Sequence, residues 1–501
     1  MTRSDREPGP AVGEGTYQPD PRRWRAVSVA LVVGFMGVLD LSIVAVALPA
    51  IRADLGASPS EAQWVISGYA LTFGLTLVPA GRLGDAFGRR RLFLLGLAGF
   101  TLSSAAAGAA PTAGLLIAAR LAQGLAAGFL GPQNTGLIQQ LFRGGERGRA
   151  FGLYGATLAL SSTVGPLVGG LLLAVAAGPG GWRWIFYVNV VIGAVAFILA
   201  MRLLPKGGPG NSGYLDGVGA LLMGAGALAL LFPIVQADSG GLVRLWWLFP
   251  VAAAVLAAFA AWERRVVRTG RQPVFDPRLF TETRGFSSGL ALGTAYFIGF
   301  GGIWVLFALF FQTGLGYTPL QSGLAVMPFA LGSASASVVA GRLVERHGRG
   351  VTVIGLFAFI LGLSATGLVL GLVPPEHAGW AAAPALLVAG MGSGCVVSPN
   401  ITMTLGNVPV RMAGAAGGGL QTAQRFGTAI GTAVLPGLFY VVLRATDDDF
   451  STALMAGLAL SVFWAGLALV IGVLDWRVDR RQLAAARLLD RADVRPEALP
   501  S

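Results

Sequence analysis

The sequence predicts an all-α polytopic membrane protein. Hydrophobic residues make up 54% of the 501 residues and charged residues only 12%, so the chain has too few polar side chains to cover a water-soluble surface. The mean hydropathy is +0.69. Apolar runs of about 20 residues, which is the length that crosses a bilayer as a helix, recur along the whole chain.

Fourteen such runs follow one another after a polar, Gly- and Pro-rich N-terminal segment. Residues 1–23 have the composition of a disordered tail, and the first apolar run is expected to act as an uncleaved insertion signal. The predicted spans are 26–50, 62–80, 92–110, 113–139, 150–174, 184–204, 215–236, 242–262, 286–312, 319–341, 351–373, 382–407, 414–443 and 453–474.

The distribution of Lys and Arg supports this count. Of the 36 Lys and Arg residues, all but six lie in the tails or in every second loop. Arg120 and Arg425 lie inside spans, and the other four are in the opposite loops, at Arg52, Arg183, Arg244 and Arg444. Since cytoplasmic loops carry the positive excess, both termini are expected in the cytoplasm. The 35 Arg residues against one Lys, with abundant Ala and Gly, suggest a GC-rich bacterial genome, so the expected location is a bacterial plasma membrane. The net charge of +12 then reflects topology and anionic lipid, not nucleic acid binding.

Several functional classes are excluded by what the chain lacks. Cys395 is the only cysteine, and the two histidines, His347 and His377, fall in loops, which argues against a disulfide framework, a thiolate metal site, a bound haem or a Ser-His pair. No metal, cofactor or enzymatic activity is therefore expected. A receptor would need a soluble output domain, but the longest inner loop runs only over 263–284.

A short charged loop occurs twice. "GRLGDAFGRRR" follows span 2 and "GRLVERHGR" follows span 10; the matching residues are Gly81, Arg82, Leu83, Asp85, Gly88 and Arg89 with Gly341, Arg342, Leu343, Glu345, Gly348 and Arg349. The repeat suggests two related halves, a transporter plan in which substrate binds between them near the middle of the bilayer.

The first copy resembles the signature loop of the major facilitator superfamily. The resemblance implies a tight turn at Gly81 and Gly88. It also implies a charge latch on the cytoplasmic side, formed by Arg82, Asp85, Arg89 and Arg90, with Asp85 near a helix N-terminus of the other half. Fourteen spans resemble the drug:proton antiporter branch. Its members have two six-helix bundles, here 24–204 and 285–474, two inserted helices at 205–262, a cytoplasmic loop at 263–284 and a tail at 475–501.

Span 5 contains a second motif, "GLYGATLALSSTVGPLVGG". It resembles the antiporter motif of that branch, with Ser161 where the branch often has Gly. The residues that carry the resemblance are Gly152, Gly165, Pro166, Gly169 and Gly170. Proline bends a helix and glycines allow close helix packing. A generic kinked packing helix would look the same, and only the resemblance connects the motif with export.

Span 1 contains one carboxylate, Asp40, at a cost of about 2.5 to 3.5 kcal/mol for a charged residue at a helix centre. Its surroundings, "LDLSIVAVALPAI", resemble the pattern of the same branch, except that Ala45 stands where Asn is common. Asp40 is roughly 15 Å and Arg120 roughly 10 Å below the same membrane surface, so the two side chains can meet. Gln123 shares a helix face with Arg120.

Two interpretations of Asp40 stay open. It can form an ion pair that only orients helices, or it can be a carboxyl that gains and loses a proton as the cavity opens to either side. The candidates for the cavity wall are polar residues of spans 4 and 13 and aromatic residues of span 9: Gln123, Gln421, Gln424, Arg425, Phe297, Phe300 and Trp304. A hydrogen bond between helices explains Arg425 equally well, and an aromatic stripe is more often packing or lipid-facing surface than a drug-contacting wall.

Together these features predict proton-coupled efflux of hydrophobic drugs or antibiotics by alternating access. A neutral or monocationic substrate is expected, with protons and membrane lipid as the other partners, the proton gradient in place of a cofactor, and a monomeric protein. The alternative is a proton symporter, or an exporter of one specific metabolite or lipid.

Overall fold

The computed structural model describes residues 20–493, apart from 177, 179, 207–215, 237–239 and 272. The predicted disordered tail lies almost entirely outside this range. Fourteen helices of 16 residues or more occur in the described part: α1 (Arg23–Leu55), α2 (Pro59–Phe87), α3 (Arg89–Ala109), α4 (Ala113–Leu141), α5 (Gly144–Val175), α6 (Trp184–Leu203), α7 (Gly217–Val235), α8 (Leu248–Arg268), α9 (Phe286–Gly301), α10 (Pro319–His347), α11 (Arg349–Leu372), α12 (Ala383–Gly406), α13 (Ala413–Ala445) and α14 (Phe450–Asp493).

By length and composition, twelve helical segments among the described residues can cross a membrane. The long helices outside this set are α5 and α8, and α8 carries four charged residues near its end, Glu263, Arg264, Arg265 and Arg268. Predicted spans 5 and 8 therefore correspond to helices, while the count of fourteen membrane crossings stays a prediction. Predicted span 9 is interrupted, because α9 ends at Gly301 and is continued by a short helix, Ile303–Ala308, and a π-helical turn, Leu309–Gly314.

The repeated loop terminates two matching helices. α2 and α10 each contain 29 residues. Each begins with a capping box, which starts at Ser58 in α2 and at Thr318 in α10. In this motif the side chain of the first residue and that of the residue three positions later each accept the other's backbone N–H. Each ends at a glycine with positive φ, 97° at Gly88 and 52° at Gly348, where the chain turns directly into the next helix.

Helix packing follows the same plan in both halves. In the first, α2 and α3 pack on α4, α3 packs on α6, and α1 packs on α5 and α6. The same pairs recur eight helices later, among α9 to α14. The chain thus forms two six-helix bundles of one design. The remaining helices, α7 and α8, pack on each other, and α7 also contacts α2 and α13.

The two bundles meet through α5 with α10 and α2 with α13. We call the end of the molecule at which α2 passes into α3 the α2–α3 face. One apolar cluster there joins both bundles, with Phe142 and Phe151 from the first and Ile401 and Leu420 from the second. The other two large clusters each belong to a single bundle. The bundles are therefore packed together toward the α2–α3 face.

Candidate functional site

Asp40 and Arg120 form an ion pair in the interior of the first bundle. Nη1 of Arg120 donates to Oδ2 of Asp40 at 2.5 Å, and both side chains are 0% exposed. Arg120 lies on α4 and also donates through Nε to the carbonyl of Val65 on α2, at 2.9 Å. The pair therefore connects α1, α2 and α4.

Two amide side chains complete the surroundings of Asp40. Its Oδ1 accepts from Nε2 of Gln123 at 2.9 Å and from Nδ2 of Asn189 at 2.8 Å. The Gln123 amide is oriented by Arg120 Nη1, which donates to its Oε1 at 2.6 Å, and by the hydroxyl of Ser104, 2.7 Å from its Nε2. All partners of Asp40 donate, so the arrangement suits an ionised carboxylate, which only accepts hydrogen bonds.

An aromatic stack extends from this pair toward the second bundle. Cζ of Arg120 lies 4.3 Å from the centroid of the Tyr69 ring. Tyr69 stacks on Phe73 with centroids 6.0 Å apart and an interplanar angle of 4°. Phe73 in turn lies under Arg425 of α13, whose Cζ is 4.6 Å from the ring centroid. We call Arg120, Tyr69, Phe73 and Arg425 the stacked array.

The predicted residues of α13 are in different surroundings. Gln421 and Arg425 face the first bundle: the Gln421 side chain lies against Gly131 of α4, and Arg425 lies over Phe73. Gln424 instead lies beside Gly293 of α9, within its own bundle. Of the three, Gln421 and Arg425 therefore lie between the bundles.

The aromatic residues predicted from span 9 pack within the second bundle. Phe300 stacks on Tyr296 with centroids 5.5 Å apart, and Trp304 meets Phe329 edge to face at 5.1 Å. Phe297 contacts Phe300 at 5.7 Å. Phe297, Phe300 and Trp304 are each partly exposed, so the stripe is partly packing and partly open surface.

The α2–α3 turn contacts the other bundle through Asp85. Its carboxylate accepts from the backbone N–H groups of Gly414 and Ala415, at 3.1 and 3.0 Å, at the start of α13, where the helix dipole favours negative charge. Arg89 donates to Asp85 at 2.9 Å and to the carbonyl of Val410 at 2.5 Å.

The other residues of the predicted gate loop have separate contacts. Gly81 packs against the backbone of Gly414, where a Cβ atom would collide with the carbonyl oxygen. Arg90 donates to the carbonyl of Met201 in the first bundle, at 2.6 Å. Gly81 and Arg82 lie inside α2, because the helix continues to Phe87, so the turn expected at Gly81 is wrong and the chain turns at Gly88, with a φ of 97°.

The motif of α5 contributes to two helix contacts. Gly152 faces α10, where an added Cβ would lie 2.8 Å from the Ser337 carbonyl oxygen and 3.1 Å from Cα of Gly341. Gly165 and Gly169 face α1, against Ser42 and Ile43 respectively. Gly170 has open space beside it, and the Pro166 side chain lies outside the described part. The glycines thus permit close approach both within the first bundle and between the bundles.

Sequence reasoning missed a second charged cluster, at the turn between α10 and α11. Arg349 is 1% exposed and donates to Asp475 and to Asn400, each at 2.6 Å. The last apolar run ends at residue 474, which predicts a tail from Asp475 onward, but α14 continues through Asp475 to Asp493. Asn189 was also missed, although a polar residue in the apolar run "WIFYVNVVIGA" is a usable signal.

Two buried acidic residues were missed as well, Asp216 directly before α7 and Glu263 near the end of α8. Asp216 caps α7 and accepts from the indole Nε1 of Trp262 at 2.8 Å. Glu263 is 1% exposed; its Oε1 accepts from the Val274 N–H at 3.3 Å, and its Oε2 has no hydrogen bond partner in the described part. Burial, reinforced by the neighbouring Asp216 carboxylate, raises the pKa of Glu263 to about 7.

The chain is similar to known proteins over most of its length. The family model "Major Facilitator Superfamily" matches residues 30–432. A probable actinorhodin transporter of Streptomyces coelicolor is 36% identical over 457 residues, which are 89% of this chain and 78% of that protein. The puromycin resistance protein pur8 of Streptomyces alboniger is 35% identical over 492 residues, 95% of each chain.

Among solved structures, the human organic anion transporter MFSD10 superposes with a TM-score of 0.63, covering 91% of this chain and 100% of that chain. At 18% identity this similarity concerns the fold alone, and it agrees with the two six-helix bundles described above. The family match extends from α1 into α13, and the two bacterial relatives each match 89% or more of the chain. The chain belongs to the major facilitator superfamily of membrane transporters.

Proposed function

We propose that this protein exports hydrophobic antibiotics or drugs across the bacterial plasma membrane in exchange for protons. The observation that carries the proposal is the fully buried Asp40 and Arg120 pair, in a chain whose relatives are named for actinorhodin transport and puromycin resistance. Asp40 is the only acidic residue in the middle of a predicted span, which makes it the candidate proton carrier.

Proton exchange at Asp40 requires Arg120 to move. In the present arrangement the Asp40 carboxylate accepts hydrogen bonds from Arg120, Gln123 and Asn189. A proton can therefore bind only after the guanidinium withdraws. Substrate binding between the bundles and the change from one open side to the other would supply that displacement. Protonation then removes the charge that attracts Arg120, which ties the two steps together.

The molecule is oriented by its charges. The predicted inner loops hold most of the Lys and Arg residues, so the α2–α3 face is assigned to the cytoplasm. With the bundles joined at that face, the arrangement corresponds to a transporter closed toward the cytoplasm. One proton moving through 100 mV supplies about 2.3 kcal/mol, and a tenfold substrate gradient costs about 1.4 kcal/mol, so one proton per cycle suffices.

The test uses inverted membrane vesicles with a preset acidic interior and an internal pH indicator. The panel contains actinorhodin, puromycin and hydrophobic dyes of neutral, cationic and anionic charge. At least one compound should be taken up and should dissipate the gradient in wild type but not in Asp40→Asn. Asp54→Asn removes a carboxylate from the same helix near its outer end and serves as the matched control.

Each other result has a defined meaning. Equal transport by Asp40→Asn would contradict the proton role of this residue. If no compound dissipates the gradient, antiport is wrong. A compound that leaves the vesicles together with protons would favour the alternative of a symporter, and transport of a single metabolite or lipid would replace drug efflux by a specific exporter.

A further inference from the structure

Arg425 is a cation between the two bundles without a carboxylate partner. Among the described residues it forms no ion pair or hydrogen bond, and its guanidinium contacts the face of the Phe73 ring at 4.6 Å. The residue is partly exposed, although it lies on the side of α13 that faces the other bundle. Such a cation is normally paired, because an unpaired one is costly away from bulk water.

A second unused donor lies one turn earlier on the same helix. Nε2 of Gln421 is buried and has no hydrogen bond partner in the described part of the chain. Positions 421 and 425 are four residues apart and so share a helix face, and the Gln421 side chain lies against Gly131 of α4. Two donor groups without an acceptor thus point into the same space between the bundles.

Within the part of the chain that the structure describes, no acidic side chain is placed to serve these donors. Asp40 is 0% exposed and both its oxygens are engaged within the first bundle. The other acidic residues lie at or beyond the ends of the predicted spans. The described part of this region therefore presents a net positive charge, and an anionic partner for Arg425 is left for a ligand to supply.

We propose that Arg425 and Gln421 bind an anionic group, a carboxylate or a phenolate, carried on a planar aromatic substrate. This inference rests on the proposed efflux function and names its substrate class. A guanidinium binds a carboxylate through two parallel hydrogen bonds and also stacks on aromatic rings. The substrate ring takes the place that Phe73 occupies now, and the Gln421 amide donates to the anionic group.

The stacked array gives this site a route to the proton carrier. Displacement of Phe73 removes the ring against which Tyr69 is stacked at 6.0 Å. Tyr69 in turn supports Arg120, whose Cζ lies 4.3 Å from its ring centroid. An anionic aromatic ligand at Arg425 would thus alter the support of the group that holds Asp40. A monocationic substrate would be repelled by Arg425, because both carry a positive charge.

The test measures binding to the full-length protein in nanodiscs by equilibrium dialysis. The probes are 2-naphthoate, the neutral 2-naphthamide and the cationic (2-naphthylmethyl)trimethylammonium, which share one ring system. Wild type should bind naphthoate at least tenfold more tightly than the amide, and the cation most weakly. Arg425→Gln should remove the preference, and Arg425→Lys, which keeps a point charge, should retain part of it.

Arg444→Gln is the matched control, because it removes the same charge from the exposed end of the same helix, and its preference should equal that of wild type. Equal affinities for naphthoate and naphthamide in wild type, no measurable binding of naphthoate, or an unchanged preference in Arg425→Gln would overturn the proposal. Efflux in the vesicle assay without a charge preference in binding refutes the substrate class alone. An Arg425-dependent preference without efflux of any compound refutes the transport function and leaves the anion site standing.

Discussion

Arg120 uses its planar guanidinium in a way that a point charge cannot reproduce. One nitrogen serves both Asp40 and Gln123, another reaches the Val65 carbonyl, and the plane lies over the Tyr69 ring. A lysine ammonium has no plane to stack and fewer fixed donor directions. Each of these contacts is made by a side chain with no exposure to solvent.

A double-substitution cycle on the pair separates charge balance from packing. Arg120→Gln leaves the Asp40 carboxylate buried without its cation and should lower the free energy of unfolding by about 3 to 5 kcal/mol. Asp40→Asn combined with Arg120→Gln replaces the pair by two neutral amides and should recover most of that loss. Thermal unfolding of the purified proteins, followed by tryptophan fluorescence, measures both effects.

Arg120→Lys provides the control for charge alone. It should be more stable than Arg120→Gln, yet should fail to support proton-driven efflux. If the double variant is as unstable as Arg120→Gln, the loss comes from packing on Tyr69 rather than from an uncompensated charge, and the proposed balance within the pair is wrong.

The neighbouring ends of α7 and α8 hold a buried titratable residue, Glu263. Glu263 lies against Asp216 of α7 and near Asp276, which is paired with Arg278. The pKa of Glu263 is raised from 4.5 to about 7, so the folded state prefers the neutral acid. The cost of ionising it is absent below pH 4.5, grows between pH 4.5 and 7, and is complete above pH 7.

Glu263→Gln should therefore stabilise the protein at pH 8 and change it little at pH 5. The shift corresponds to on the order of 3 kcal/mol above pH 7, and Gln mimics the neutral acid in size and shape. Unfolding temperatures of wild type and variant at both pH values test this. Glu282→Gln, at an exposed position, should show no such pH-dependent difference, and equal stability of Glu263→Gln and wild type at pH 8 would contradict the prediction.

Local sequence patterns predict the spans and the buried ion pair, but they do not predict contacts that depend on how distant helices pack. Apolar runs and the repeated loop are local patterns, and the meeting of Asp40 with Arg120 follows from two helices of fixed rise per residue. Asn189 joins them only because α6 packs on α1, which no local pattern encodes. The contact of Asp475 could not be predicted because α14 extends beyond its apolar run. The burial of Glu263 could not be predicted because it depends on the segment that carries Val274.

The two repeated loops make related contacts across the bundles. Asp85 accepts two backbone N–H bonds at the start of α13. Its counterpart Glu345 lies beside Gly144 and Gly145 at the start of α5, the helix that corresponds to α13 in the other half. The Asp85 side chain is 1% exposed, whereas Glu345 is exposed. Both loops thus place an acid at a helix N-terminus of the opposite bundle, with unequal burial.

This inequality predicts unequal control of closure at the α2–α3 face. Asp85→Asn removes the charge from a buried helix terminus, a contribution of up to about 2 kcal/mol, and a loss of 1.4 kcal/mol changes the ratio of closed to open molecules tenfold. Glu345→Gln acts at an exposed position, where such contributions are about 0.3 to 1 kcal/mol. Spin labels at positions 146 and 407, in a Cys395→Ser background, would report the separation of the bundles at this face. Asp85→Asn should populate longer distances clearly more than Glu345→Gln does; equal distributions in the two variants would mean that the backbone contacts of Gly81 and Gly152, rather than the acidic residues, hold this face closed.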